Sequence, residues 1–135
     1  MAKICILEDC LDDIISRYSQ LTQTPHDVHV VLNFSWGKSE GRVNNANKEL
    51  SEAGFKLSNV IYEDVYIRPE HVPSDATVYF CDGLEGRCFS LAERLGKERV
   101  YINTDDLGLE IKAKQGGFRI ADRSIKDIVS KLSEK

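Results

Sequence analysis

Acidic and hydroxyl-bearing residues stand directly behind the apolar runs of this sequence. Ile4-Cys5-Ile6-Leu7 runs into Glu8-Asp9, Val78-Tyr79-Phe80-Cys81 into Asp82-Gly83, and Val100-Tyr101-Ile102 into Asn103-Thr104-Asp105-Asp106. If each run is a strand of one parallel sheet, these groups share one sheet edge, where open α/β sheets bind their ligands. Glu8, Asp9 and Asp82 then form a carboxylate cluster whose mutual repulsion calls for a cation. Mg2+ suits such a set, because it binds through a few carboxylates and carbonyls and keeps several waters. The plainer reading is that Asp and Asn start turns and cap helices, with Asp9 or Asp12 capping a helix that begins near Cys10. Recurrence of acids behind two strands, with Thr104 behind a third, favours the chemical reading.

The intervening segments supply the scaffold. Leu11, Ile14, Ile15, Tyr18 and Leu21 recur at helical spacing, and His29-Val30-Val31-Leu32 follows as a second strand. Val43, Ala46, Leu50 and Ala53 make a thinner helical stripe closed by Gly54; Cys88, Leu91, Ala92 and Leu95 make another, closed by Gly96. Residues 107–116 read as a short helix, Phe118-Arg119-Ile120 as a last strand, and Ile125, Ile128, Val129 and Leu132 as the apolar face of a C-terminal helix with Ser124 at its N-cap. Residues 55–72 hold Val60-Ile61-Tyr62 and Val65-Tyr66-Ile67, enough for an extra strand or hairpin. A recurring βα pattern predicts an α/β fold: three αβα layers around a mainly parallel sheet of five or six strands.

Length and composition narrow the classes. The chain has 135 residues, 41% hydrophobic and 30% charged, which predicts one globular domain over 1–135. A formal charge of −4 argues against direct nucleic-acid binding. No apolar stretch reaches the ~18 residues of a membrane span, and the N-terminal run reads as a strand rather than a secretion signal. Cys5, Cys10, Cys81 and Cys88 have no metal-site spacing, so inert thiols in a cytoplasmic protein are expected. The three histidines are scattered, without partner acids at helical spacing.

The order of elements and acids resembles the receiver domain of two-component response regulators, in its flavodoxin-like arrangement. "ILED" carries the family's acidic pair as Glu8-Asp9, "VYFCDG" offers Asp82 at the phosphoacceptor position, and "YINT" offers Thr104 at the position of its Ser/Thr. The resemblance implies Mg2+ on Glu8, Asp9, Asp82 and the backbone carbonyl of Leu84. It also implies phosphorylation of Asp82, with Thr104 hydrogen-bonded to the phosphoryl group. It further implies a stand-alone signalling domain, partnered by a histidine kinase, a phosphotransfer protein or another signalling protein, with a homodimer open to it. The sequence departs from the family in three places. Ala121 stands where the family has Lys and no Pro follows it, with Arg119 and Arg123 as imperfect substitutes. The chain between Asp9 and Asp82 is long by about the length of 55–72. Gly83-Leu84-Glu85-Gly86 replaces a loop that usually carries Pro. An active receiver and a pseudo-receiver used as a protein-interaction module both accord with these residues.

Two other classes stand beside it. One is a small α/β metal- or nucleotide-binding protein or enzyme unrelated to two-component signalling. Gly83 and Gly86 precede a helix, but Gly-Leu-Glu-Gly is not a dinucleotide fingerprint. Gly37-Lys38-Ser39 lacks the opening Gly of a P-loop, since Leu32 stands there. The other is an interaction module using Phe34, Trp36, Tyr62, Tyr66 and Ile67, although burial in the core is the plainer role for such side chains.

Overall fold

The computed structural model describes residues 1–121 and 125–132. Strand β1 (Lys3–Glu8) leads through helix α1 (Leu11–Tyr18) to β2 (Asp27–Asn33), and helix α2 (Glu40–Glu52) leads to β3 (Val60–Glu63). A long connection reaches β4 (Val78–Cys81), followed by α3 (Cys88–Leu95), β5 (Val100–Ile102), α4 (Leu107–Gln115), β6 (Arg119–Ile120) and α5 (Ile125–Leu132). Among the described residues the six strands form one sheet in the order β3-β2-β1-β4-β5-β6, every pairing parallel. Without β3 the order is that of a flavodoxin-like sheet; β3 lies outside β2 and extends it to the other common doubly wound order.

The unbroken apolar runs result from burial on both faces. Side chains alternate across the pleat, so Ile4, Ile6, Val30, Leu32, Val78 and Phe80 enter one core and Cys5, Leu7, Val31, Tyr79 and Cys81 the other. The first core is closed by α1, α2 and α5 through Ile14, Tyr18, Ala46, Leu50 and Val129. The second is closed by α3 through Cys88, Leu91, Ala92 and Leu95, and by Ala113 of α4. Strands β1, β2 and β3 run outward in one direction, which keeps α1 and α2 on the same face. The chain then turns back past β1 to β4, and the connections switch face.

That returning connection contains no α-helix. Ile67, Val72 and Ala76 cover the second core instead. The stretch 55–72 thus contributes one short parallel edge strand, and Val65-Tyr66-Ile67 is loop. Asn33 Nδ2 donates to the Val65 carbonyl at 2.7 Å, and Glu63 Oε2 accepts the Arg68 N–H at 2.6 Å, which holds the segment off the sheet. The aromatic side chains divide. Trp36 is 89% exposed and Tyr66 is exposed, contrary to a core role, while Phe34 and Tyr62 are half-buried with ring centroids 5.6 Å apart. Gly37-Lys38-Ser39 is a helix entry: Gly37 turns the chain at φ 97°, and Ser39 caps α2 by accepting the Arg42 N–H at 3.2 Å. The Ser124 cap and Arg123 lie outside the described residues.

Candidate acidic site at the strand crossover

The site lies between β1 and β4, where the order of strands reverses. Leu7 and Cys81 are in register, and the Asp82 N–H donates to the Leu7 carbonyl at 2.9 Å. Glu8 and Asp82 therefore leave the sheet side by side. One carboxylate oxygen each from Glu8, Asp9 and Asp82 lies within 4.8 Å of the others. The three acids proposed from sequence thus converge.

Their environments differ. Glu8 is completely buried. Its Oε1 accepts the N–H groups of Asp9 at 3.0 Å and Cys10 at 3.2 Å, while its Oε2 has no hydrogen-bond partner. Cys10 is the N-cap of α1 without a side-chain cap bond, so neither Asp9 nor Asp12 serves as that N-cap. Burial, and then the neighbouring Asp82 charge, push the Glu8 carboxyl up to about 9. Asp82 is half-buried, and its Oδ2 accepts the Leu84 N–H at 3.2 Å. Burial pushes it up to about 6, the Leu84 amide works against that, and the Asp9 charge adds to it.

The loop after Asp82 is tightly constrained. A Cβ on Gly83 would stand 2.8 Å from Thr104 Oγ1 and 2.6 Å from Leu109 Cδ1, so the glycine leaves the room that these two side chains occupy. Leu84 and Glu85 then take positive φ, at 49° and 56°, an uncommon conformation for side-chain-bearing residues. Thr104 is thereby held against the backbone next to Asp82. Its Oγ1 accepts the Asp106 N–H at 3.1 Å, which leaves the hydroxyl proton to donate elsewhere. The Leu84 carbonyl accepts the Arg87 N–H at 3.1 Å, occupying one of its two lone pairs.

Arg17, the residue missed from sequence, supplies a cation. Its Nη1 is 3.8 Å from Glu8 Oε2 and 3.8 Å from Asp82 Oδ1. Its Nη2 binds Asp105 and lies 3.7 Å from Asp13. Burial works against the Arg17 charge, but Asp13, Asp105 and Glu8 overcome it and hold the guanidinium above its ordinary value. The available signal was position: Arg17 is the only Lys or Arg between Lys3 and Lys38. Arg119, a cation considered from sequence, is exposed and donates to the Tyr101 hydroxyl at 3.1 Å; Ala121 is buried.

The donor set matches a small hard cation. It offers only oxygens, and one of them, Glu8 Oε2, is buried without a hydrogen bond; the raised Glu8 value means that a cation bound there displaces a proton. The same carboxylate disfavours a phosphate at the β1–α1 turn. Glu8 already takes the Asp9 and Cys10 N–H groups, which a bound anion would need. Beside Asp9 is a cavity of about 110 Å³ that reaches Asn33, Tyr66 and Arg87; the Asn33 side-chain oxygen is buried there without a partner. Cys88 is pushed up to about 11, by burial first and then the Asp82 charge, and Cys81 also well up, mainly by burial. Both thiols are therefore protonated near neutrality. Among the described residues no helix is long and apolar enough to cross a membrane. Comparison with models of known families, with curated proteins and with solved structures finds no match to this chain.

Proposed function

We propose that this chain is a receiver-like signalling domain whose phosphoacceptor is Asp82. The observation that carries the reading is the convergence of Glu8, Asp9 and Asp82 within 4.8 Å at the strand crossover, with Glu8 Oε2 buried and unpaired. Glu8, Asp9 and Asp82, with the Leu84 carbonyl, would hold Mg2+, whose charge offsets that of phosphoryl oxygens. Asp82 acts as the nucleophile. One of its carboxylate oxygens forms a bond to phosphorus, the bond from phosphorus to the donor breaks, and the donor group leaves with the electron pair. For acetyl phosphate the leaving group is acetate; for a phosphohistidine it is the imidazole, which takes up a proton. Asp82 Oδ2 is steadied by the Leu84 amide, leaving Oδ1 to attack. Thr104 donates its free hydroxyl proton to a phosphoryl oxygen. The phosphodonor is a histidine kinase, a phosphotransfer protein or a small phosphodonor, and the output is a contact with another protein.

The test is binding of beryllofluoride, a phosphoryl mimic, in the presence of Mg2+. The wild-type chain should take up beryllofluoride only with the metal, and Asp82→Asn should abolish uptake. Metal binding without any beryllofluoride adduct would remove the phosphoacceptor role. A second reading is favoured by the Arg17 ion pairs, because a resident cation already offsets part of the acidic charge. In that reading the chain is a pseudo-receiver that uses the same fold for docking alone, and it predicts neither metal binding nor an adduct.

A further inference from the structure

We infer that Arg17 is the cation that binds the phosphoryl group on Asp82, an inference that rests on the phosphoacceptor reading. Glu8 Oε2 and Arg17 Nη1 are both buried, and neither has a hydrogen-bond partner. They face each other at 3.8 Å, beyond the ~3.2 Å limit of a good N–H···O bond. Nη1 stands at the same 3.8 Å from Asp82 Oδ1. An oxygen placed about 2.9 Å from Nη1 would satisfy the open donor; because Nη1 is buried, a small shift of the side chain must open room for it. A phosphoryl group on Asp82 brings such an oxygen to this spot.

The other half of the guanidinium is already committed. Nη2 binds Asp105 and approaches Asp13, so two acids outside the cluster fix the plane of the group and turn Nη1 inward. That orientation comes before any ligand, which lowers the ordering cost of binding. Among the described residues Arg17 is the one basic side chain with a nitrogen within 4 Å of an Asp82 oxygen. Arg87 stacks on Tyr66, and Lys97 donates to the Gly116 carbonyl. Asp105 comes directly after Thr104, so the phosphoryl group would be held by two neighbouring points of the β5–α4 loop, directly through Thr104 and indirectly through Arg17.

The experiment measures two ligands on the full chain: Mn2+ alone, and beryllofluoride with saturating Mg2+. Arg17→Gln should weaken beryllofluoride about tenfold or more, the worth of one charge-assisted hydrogen bond. The same variant should bind Mn2+ at least as tightly as wild type, since a competing positive charge has gone. Arg17→Lys, which keeps the charge, should recover part of the beryllofluoride affinity. Loss of both ligands in Arg17→Gln would mark a purely structural role and overturn the inference. Equal beryllofluoride affinity in wild type and Arg17→Gln would overturn it while leaving Asp82 as phosphoacceptor. If wild type binds Mn2+ but no beryllofluoride, the phosphoacceptor reading itself falls and takes this inference with it.

Discussion

The Glu8 carboxylate and the Arg17 guanidinium face each other at 3.8 Å, with Oε2 and Nη1 both buried and both outside any hydrogen bond. The pair is only half made. A directly bonded pair would hold Glu8 ionised; here burial and Asp82 dominate, and the carboxyl is pushed up to about 9.

Stability should therefore fall as pH rises. The folded-state value of Glu8 is about 9 and that of Asp82 about 6, against unfolded values near 4. Between those limits the folded chain binds more protons than the unfolded chain, so each step up in pH favours unfolding. In the absence of divalent cation the melting temperature at pH 9 should lie below that at pH 6. Glu8→Gln should remove most of the difference and raise the value at pH 9 by roughly 5 °C or more. Thermal melts of both chains at the two pH values check this. A melting temperature that rises toward pH 9 would contradict the charge assignment.

Millimolar Mg2+ should act in the opposite direction, with its largest effect at the higher pH, where Glu8 and Asp82 hold fewer protons for the metal to displace. Melts at pH 6 and pH 9 with and without the metal supply the comparison. Glu8→Gln should lose most of the metal-dependent gain, because it removes a ligand charge.

Gly83 should resist substitution for a steric reason. Its φ of −55° suits any residue, but an added Cβ meets Leu109 Cδ1 at 2.6 Å and Thr104 Oγ1 at 2.8 Å. Gly83→Ala should cost about 1–3 kcal/mol in denaturant titrations, the range for overpacking. Adding Leu109→Ala removes one of the two obstructing atoms and should recover part of the loss relative to the sum of the single changes.

The sheet was legible because each strand buries both faces and so reads as an unbroken apolar run. The acids were legible because a parallel sheet delivers the residues behind each strand to the same edge. Arg17 was not, because its role depends on how the flank of α1 sits over the β5–α4 loop. The stripe of Ile14 and Tyr18 fixes which face of α1 is buried, yet Asp105 and Asp82 become neighbours of Arg17 only once β4 and β5 are placed. Val65-Tyr66-Ile67 has the composition of a strand, but polar bonds from Asn33 and Glu63 hold that stretch as loop. Trp36 carries a core-like side chain in a turn, where Gly37 N–H returns to the Phe34 carbonyl at 2.8 Å and leaves the indole outside.

The cysteines should be slow to react with thiol reagents in the folded chain. Cys5, Cys81 and Cys88 are buried, with protonated thiols, and only Cys10 is partly accessible. Native alkylation at pH 8 should modify Cys10 first and the other three only on unfolding. Fast modification of Cys81 or Cys88 would show that the sheet edge beside Asp82 opens more readily than its packing implies.

Intact mass after incubation with acetyl phosphate and Mg2+ tests the central claim most directly. The wild-type chain should gain the mass of one phosphoryl group in a hydroxylamine-labile linkage, and peptide mapping should locate it at Asp82. Asp82→Asn should gain nothing under the same conditions. A wild-type chain that stays unmodified while binding Mg2+, or a phosphoryl group found on a residue other than Asp82, would contradict the phosphoacceptor role.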